Sequence, residues 1–175
     1  MFREMRRIRQ QLSTEECQEI LKRASSGVLG LFGDDGYPYT VPLSFVYEQR
    51  SKEGFGTIGF HCAKAGHKID AIRRNEKVSF TVIDRDEIMP KERTTKFCSV
   101  IAFGRARILE NEEELRRSAN AIGAKYSAGF EDLYKQETED TIRSGTLCCV
   151  EITIDHMTGK IGREILLERQ RGGKV

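Results

Sequence analysis

The sequence predicts a mainly β chain, mostly antiparallel, whose strands close into a barrel with flanking helices. Three observations carry that expectation. About five to seven short apolar stretches of strand length are separated by turn residues. The first pair is joined by a hairpin turn, Gly33-Asp34-Asp35-Gly36. The alternation of strand and helix that a doubly wound parallel sheet requires is missing. Short strands of even length close well into a barrel, because closure removes exposed edges.

Taken in order, a basic arm precedes the capping box Ser13-Thr14-Glu15-Glu16, which opens a helix over about 13–25 with Cys17, Ile20, Leu21 and Ala24 on one face. Gly27 closes it. Val28–Phe32 reads as a strand, and the chain returns along Tyr37–Tyr47. Pro38 and Pro42 lie in that return strand. Proline lacks the N–H that a central ladder needs, so the strand is an edge or bulges there. The other reading is a kink that turns the backbone of Pro42-Leu43-Ser44 toward something other than a neighbouring strand. Thr57–Cys62 is the next strand, with Ile58, Phe60 and Cys62 on one face and His61 on the other. A short helix ends at Arg73-Arg74-Asn75, where a charge pair suits the helix dipole. Val78–Ile83 is a strand, and Asp84–Lys96 is a charged connection. Phe97–Leu109 is the longest strand, apolar on both faces at its start. Two helices fill about 112–143, the second stopped by Ser144-Gly145, and Leu147–Asp155 alternates as a last strand. The tail over about 164–175 reads as polar and frayed. The whole chain, 1–175, is expected to be a single domain.

A chain of 175 residues buries about 70% of its unfolded surface and needs no staple to fold. The net charge of +2 predicts neither nucleic-acid nor membrane binding, and no apolar run reaches the ~18 residues of a membrane span. The five cysteines, Cys17, Cys62, Cys98, Cys148 and Cys149, show no framework spacing and no zinc signature, so no metal site is expected. With a charged N-terminus that does not read as an export signal, they point to a reducing cytoplasm.

The chemistry concentrates in Phe60-His61-Cys62-Ala63-Lys64-Ala65-Gly66-His67-Lys68. A strand ends, small residues follow, and a helix begins carrying His and Lys. A helix start offers free N–H groups and positive potential, and the small residues let an anion approach the backbone. Lys64, His67 and Lys68 add charge. This is phosphate-binding grammar, though neither a P-loop nor a dinucleotide fingerprint. The plain alternative is a solvated basic face.

The ordered set of Tyr-Pro-x-x-Val-Pro-Leu-Ser (37–44), Phe-His-Cys-Ala (60–63), Lys-Ala-Gly-His-Lys (64–68), Arg-Arg-Asn (73–75) and Lys-Val-Ser-Phe (77–80) resembles the pyridoxamine 5′-phosphate oxidase-like flavin proteins with a split β-barrel. Among them it is most similar to the 5-nitroimidazole-resistance branch. The resemblance implies a homodimer with FMN, or FAD as the other flavin, in clefts at the subunit interface. It implies that His67 and Lys68, with Lys64, hold the phosphate. The isoalloxazine and ribityl chain would lie along Val41, Pro42, Leu43 and Ser44 and against His61, Cys62 and Ala63. Ser99 and Arg163 would reach the flavin of the other subunit. Pyridoxamine oxidases carry arginine where His67 stands, and their substrate-phosphate residues are not found in the tail.

The function implied is an FMN-dependent oxidoreductase for small organic substrates, nitroimidazole-type nitro compounds among them, drawing electrons from a reduced nicotinamide or a protein donor. His61 would be a catalytic proton donor; the alternative is a buried histidine satisfied by a backbone carbonyl. Cys62 is a reactive thiol or a small strand residue. The competing functions are a flavin- or haem-binding module without turnover, a pyridoxamine 5′-phosphate oxidase-type activity, and a barrel that binds macromolecules.

Overall fold

The computed structural model describes residues 2–51 and 53–172. Its centre is one antiparallel sheet of seven strands: β1 (Ser26–Phe32), β2 (Pro38–Ser44), β3 (Val46–Glu48), β4 (Thr57–Cys62), β5 (Lys77–Met89), β6 (Thr94–Ile108) and β7 (Cys148–Ile161). The strand order is β2-β1-β5-β6-β7-β4-β3. The two edge strands, β2 and β3, are consecutive in the chain and separated only by Phe45. One chain segment therefore forms both edges and brings them together without a ladder between them, which is a split barrel.

Five helices surround the sheet: α1 (Thr14–Arg23), α2 (His67–Arg74), α3 (Glu112–Tyr126), α4 (Glu131–Arg143) and α5 (Arg163–Gln170). The α1 capping box forms in both directions: Ser13 N–H donates to Glu16 Oε2 at 2.7 Å, and Glu16 N–H donates to Ser13 Oγ at 3.2 Å. The barrel interior is filled by Leu29, Phe45, Ile58, Phe60, Phe80, Val82, Val100 and Ile152, all fully buried. Phe45 meets Phe80 edge-on, with centroids 4.9 Å apart.

The corner at Phe45 has no strand partner, so its backbone is satisfied by α3. Phe45 N–H donates to the Tyr126 hydroxyl at 2.9 Å. Phe45 O lies 2.8 Å from that hydroxyl and 2.9 Å from Lys125 Nζ. The same two side chains reach the end of α1 and the start of β1: Lys125 donates to Ala24 O at 2.6 Å and the Tyr126 hydroxyl to Ser25 O at 2.6 Å. The Lys125 ammonium also sits 4.2 Å from the Phe45 ring centroid, and burial lowers its pKa.

The break in the return strand thus falls at Phe45, not at a proline. Across Pro38–Ser44 the pairing with β1 is continuous, from Phe32↔Pro38 to Ser26↔Ser44. Both prolines sit on an edge strand, where a missing N–H leaves no gap. Four other expectations need correction. The charged connection over 84–96 is mostly strand, because β5 and β6 pair to Met89↔Thr94 and only Pro90–Arg93 turns. The last strand runs on to Ile161 after a register shift beside Gly104, whose Cβ position would fall 2.2 Å from Thr153 O. Gly27 lies inside β1, where its Cβ position would fall 2.3 Å from the Phe80 ring. The tail forms α5, because Ile165 is fully buried and Glu168 and Arg169 pair with Lys96 and Glu16 at 2.6 Å each; the expected fraying over 173–175 lies outside the described residues.

Beside α3, Glu151 is buried on β7 under three arginines. Arg50 and Arg107 bond it at 2.5 and 2.7 Å, and Arg117 stands 3.6 Å away. Burial pushes its pKa up, but the arginine hydrogen bonds outweigh burial and hold it below the usual carboxylate value. A lowered folded-state pKa gives stability that is present above the unfolded value of ~4.3 and lost as pH falls through the folded value.

Two outcomes are expected. Tyr126→Phe leaves the Phe45 N–H without its acceptor and lowers unfolding free energy by about 1–3 kcal/mol in urea titrations. Glu151→Gln is less stable than the native protein by about 1–3 kcal/mol at pH 7, and the difference shrinks as unfolding is measured toward pH 3.

Candidate functional site

The start of α2 is uncapped and open. Gly66, its N-cap, has φ +122° and ψ 168°, a conformation open to glycine, and nothing lies within 4 Å of its Cβ position. Gly66 O accepts from the N–H groups of Ile69 and Asp70 at 2.9 and 3.1 Å. No side chain caps the helix. The N–H groups of the first residues, His67 and Lys68, therefore have no intrahelical acceptor. Buried Ile69, Ala71 and Ile72 fix the helix on the barrel end, so this open start is held rigidly.

His67 is half-exposed, and its ring stacks on Tyr39 with centroids 4.0 Å apart at 12°. Its Nε2 lies 3.4 Å from Asp34, which Arg74 also holds at 2.5 Å. These residues, with Asp70 and Arg73, line a groove of about 600 Å³. Lys68 lies close enough to Cys62 for its charge to favour the thiolate. Burial and the neighbouring Cys148 outweigh that and raise the Cys62 pKa.

The β2 edge has a definite phase. Gly33 N–H donates to Tyr37 O at 2.9 Å, so Tyr39, Val41 and Leu43 bond to β1. Pro38, Thr40, Pro42 and Ser44 turn their backbone outward. On that free edge only Thr40 and Ser44 offer an N–H, while all four offer a carbonyl.

The predicted residues fall on two sides of this edge. Tyr39, Val41 and Leu43 are half-buried on the side of α2, His67 and Lys68. Pro42 and Ser44 are exposed on the outer face. Ser99 shares that outer face, between Ile83 and Lys160 in the ladder. A ligand lying along the free edge touches both sides. Ala63 and Lys64 are exposed in the loop before α2, and Arg163 is exposed at the first turn of α5. His61 is exposed on the outer face of β4, so the buried-histidine reading is overturned. It shares its face with Gly59, whose Cβ position lies 3.4 Å from Ser118 of α3. His61 and Cys62 point to opposite faces, and no contact joins His61 to His67 or Lys68.

Sequence reasoning missed Tyr39 and Asp34. Tyr39 was available as an aromatic residue in phase with Val41; Asp34 was hidden in its role as a turn residue. A larger cleft, about 870 Å³, lies on the outer face between Phe32, Tyr37, Tyr39, Lys77, Phe103 and Arg105. It contains none of the predicted residues. Tyr39 lines this cleft and stacks on His67, which lines the smaller groove. Among the described residues, no three His, Cys, Asp or Glu gather as a metal cluster, and no helix is long and apolar enough to cross a membrane.

An open edge strand beside an uncapped helix start places this chain among the split-barrel proteins. The chain belongs to the pyridoxamine 5′-phosphate oxidase family, whose model matches residues 13–161. Solved structures share the fold. A candidate 5-nitroimidazole antibiotic resistance protein from Bacteroides thetaiotaomicron is 21% identical, with 86% of each chain covered and a TM-score of 0.69. A flavocytochrome from Azotobacter vinelandii is 18% identical, covering 86% of this chain and 67% of its own, with a TM-score of 0.67. An FAD- and heme-binding protein from Mycobacterium smegmatis is 15% identical, covering 94% and 81%, with a TM-score of 0.67. No curated protein matches the chain.

Proposed function

We propose that this chain is a cytoplasmic FMN-dependent oxidoreductase that works as a homodimer and reduces small organic substrates, with nitroimidazole-type compounds as the class to test first. The observation that carries the reading is the uncapped start of α2, where free N–H groups, His67 and Lys68 converge beside an opening at Gly66. That arrangement fits a phosphate monoester. His67 and Lys68 bind the phosphate, Lys64 adds charge from the loop, and the Tyr39 ring holds the His67 imidazole flat. Thr40 and Ser44 supply the N–H donors, and the carbonyls of residues 38–44 the acceptors, that orient a polar ring edge along β2. A flavin held there would supply the redox chemistry, with a reduced nicotinamide or a protein as the electron donor. His61, exposed to solvent, delivers a proton to a reduced substrate. Arginine is absent at the position of His67, which argues against pyridoxamine 5′-phosphate as substrate.

The outer face supports the dimer. Val28, Thr81 and Ile101 form one row across β1, β5 and β6, and Gly30, Ser79 and Phe103 the next. Phe32 and Ile83 extend the patch at 64% and 66% exposure. Apolar area of this kind on a monomer marks an interaction surface. Ser99 sits within it, placed to serve a flavin held mainly by the other subunit. A second reading, a binding module without turnover, is favoured by the FAD- and heme-binding neighbour.

The absorption spectrum of purified protein separates these readings. Flavin bands bleached by NADH and restored by a nitroimidazole support the oxidoreductase. Flavin bands that NADH leaves unchanged, or a Soret band, support the binding module. His67→Ala with Lys68→Ala removes two charge-assisted contacts worth about 1.5–3 kcal/mol each, so FMN affinity by fluorescence titration is expected to fall a hundredfold or more with the circular dichroism unchanged. Unaltered affinity places the phosphate elsewhere. Ile101→Asp is expected to give a monomer in sedimentation and to lose flavin with it; a flavin-loaded monomer refutes the shared site.

A further inference from the structure

Cys62 ends β4, Cys148 begins β7, and the two stand directly opposite each other in the antiparallel ladder. Leu109 N–H donates to Cys149 O at 2.9 Å, so Cys149 turns its backbone toward β6 and Cys148 turns its own toward β4. Opposed residues in such a hydrogen-bonded pair have Cα atoms about 5.5 Å apart, inside the ~4.4–6.8 Å that a disulfide spans. Both side chains face the barrel interior. Cys148 is buried, and Cys62 is half-buried against the same core. All five cysteines are free thiols. The other three are placed differently. Cys149 is buried on the opposite side of β7. Cys17 lies on α1 against Leu12 and Gly159, and Cys98 is opposite Ile161 on β7.

We propose that Cys62 and Cys148 are a redox-active pair that hydrogen peroxide converts to a cross-strand disulfide. One sulfur attacks the O–O bond, becomes a sulfenic acid and releases water. The second thiol attacks that sulfur, the S–S bond forms and a second water leaves. The two cysteines lose two electrons in all, and the peroxide is reduced to two waters. Cys62 is the point of entry, because it is the more exposed of the pair. The bond would tie the last residue of β4, where the chain leaves for the Ala63–Gly66 loop, to the first residue of β7. The pair stands independently of the flavin reading.

The test is non-reducing peptide mapping by mass spectrometry, after peroxide treatment and alkylation of the remaining thiols. The native protein is expected to yield Cys62 and Cys148 peptides joined, two hydrogens lighter than their sum, and separated by dithiothreitol. Cys62→Ser and Cys148→Ser each abolish the joined species, and Cys149→Ser retains it. A map in which Cys62 pairs with another cysteine, remains a thiol while others oxidise, or proceeds to sulfinic acid with no joined species overturns the proposal. Because the map is read on the native sequence, a variant that fails to fold leaves the result decisive.

Discussion

Burying the break between two edge strands inside a barrel leaves peptide groups without a ladder, and here that constraint falls on Phe45. Its ring fills the core, so the residue cannot move out to water. Its N–H and C=O must find partners in the interior, and Lys125 and Tyr126 supply them. Much else follows from this contact. It holds the corner where β2 gives way to β3. It accounts for the placement of α3, whose last turn packs against the corner while its first turns lie over β4 and β7. It also ties Ala24 and Ser25 to the same point, so the start of β1 and the end of β2 are held together.

Much of this architecture was legible in local chemistry. The capping box, the Gly33–Gly36 turn, the two-helix stretch and the alternation of Cys148–Ile154 are short-range patterns, and short-range patterns survive folding. What was hidden depends on distant partners. The β5–β6 arm over 84–96 is polar because it extends beyond the core, and polarity reads as a loop when the pairing strand is unknown. The tail helix is stabilised by Ile165 and by ion pairs to Lys96 and Glu16, far away in sequence. The break at Phe45 is invisible beside two prolines that look like better breakers.

The site shows the same division. His67, Lys68 and the small residues before them form a motif, and they do stand at the open start of a helix. The companions of His67 come from the hairpin: Tyr39 stacks on it and Asp34 faces it. Only folding brings β2 to α2. Asp34 also binds Arg74, so the groove carries its own carboxylate where an anion is to be received. Were a phosphate to bind at Gly66 as proposed, it would compete with Asp34 for Arg74.

The prolines of β2 have a consequence for solubility. A free edge strand is a template on which stray strands can pair. At Pro38 and Pro42 this edge lacks every second outward N–H, so an incoming strand would meet carbonyls with no matching donors. The imino acids that leave a ragged border for a small guest also blunt it against fibrous self-association, and the barrel can stay open without becoming sticky.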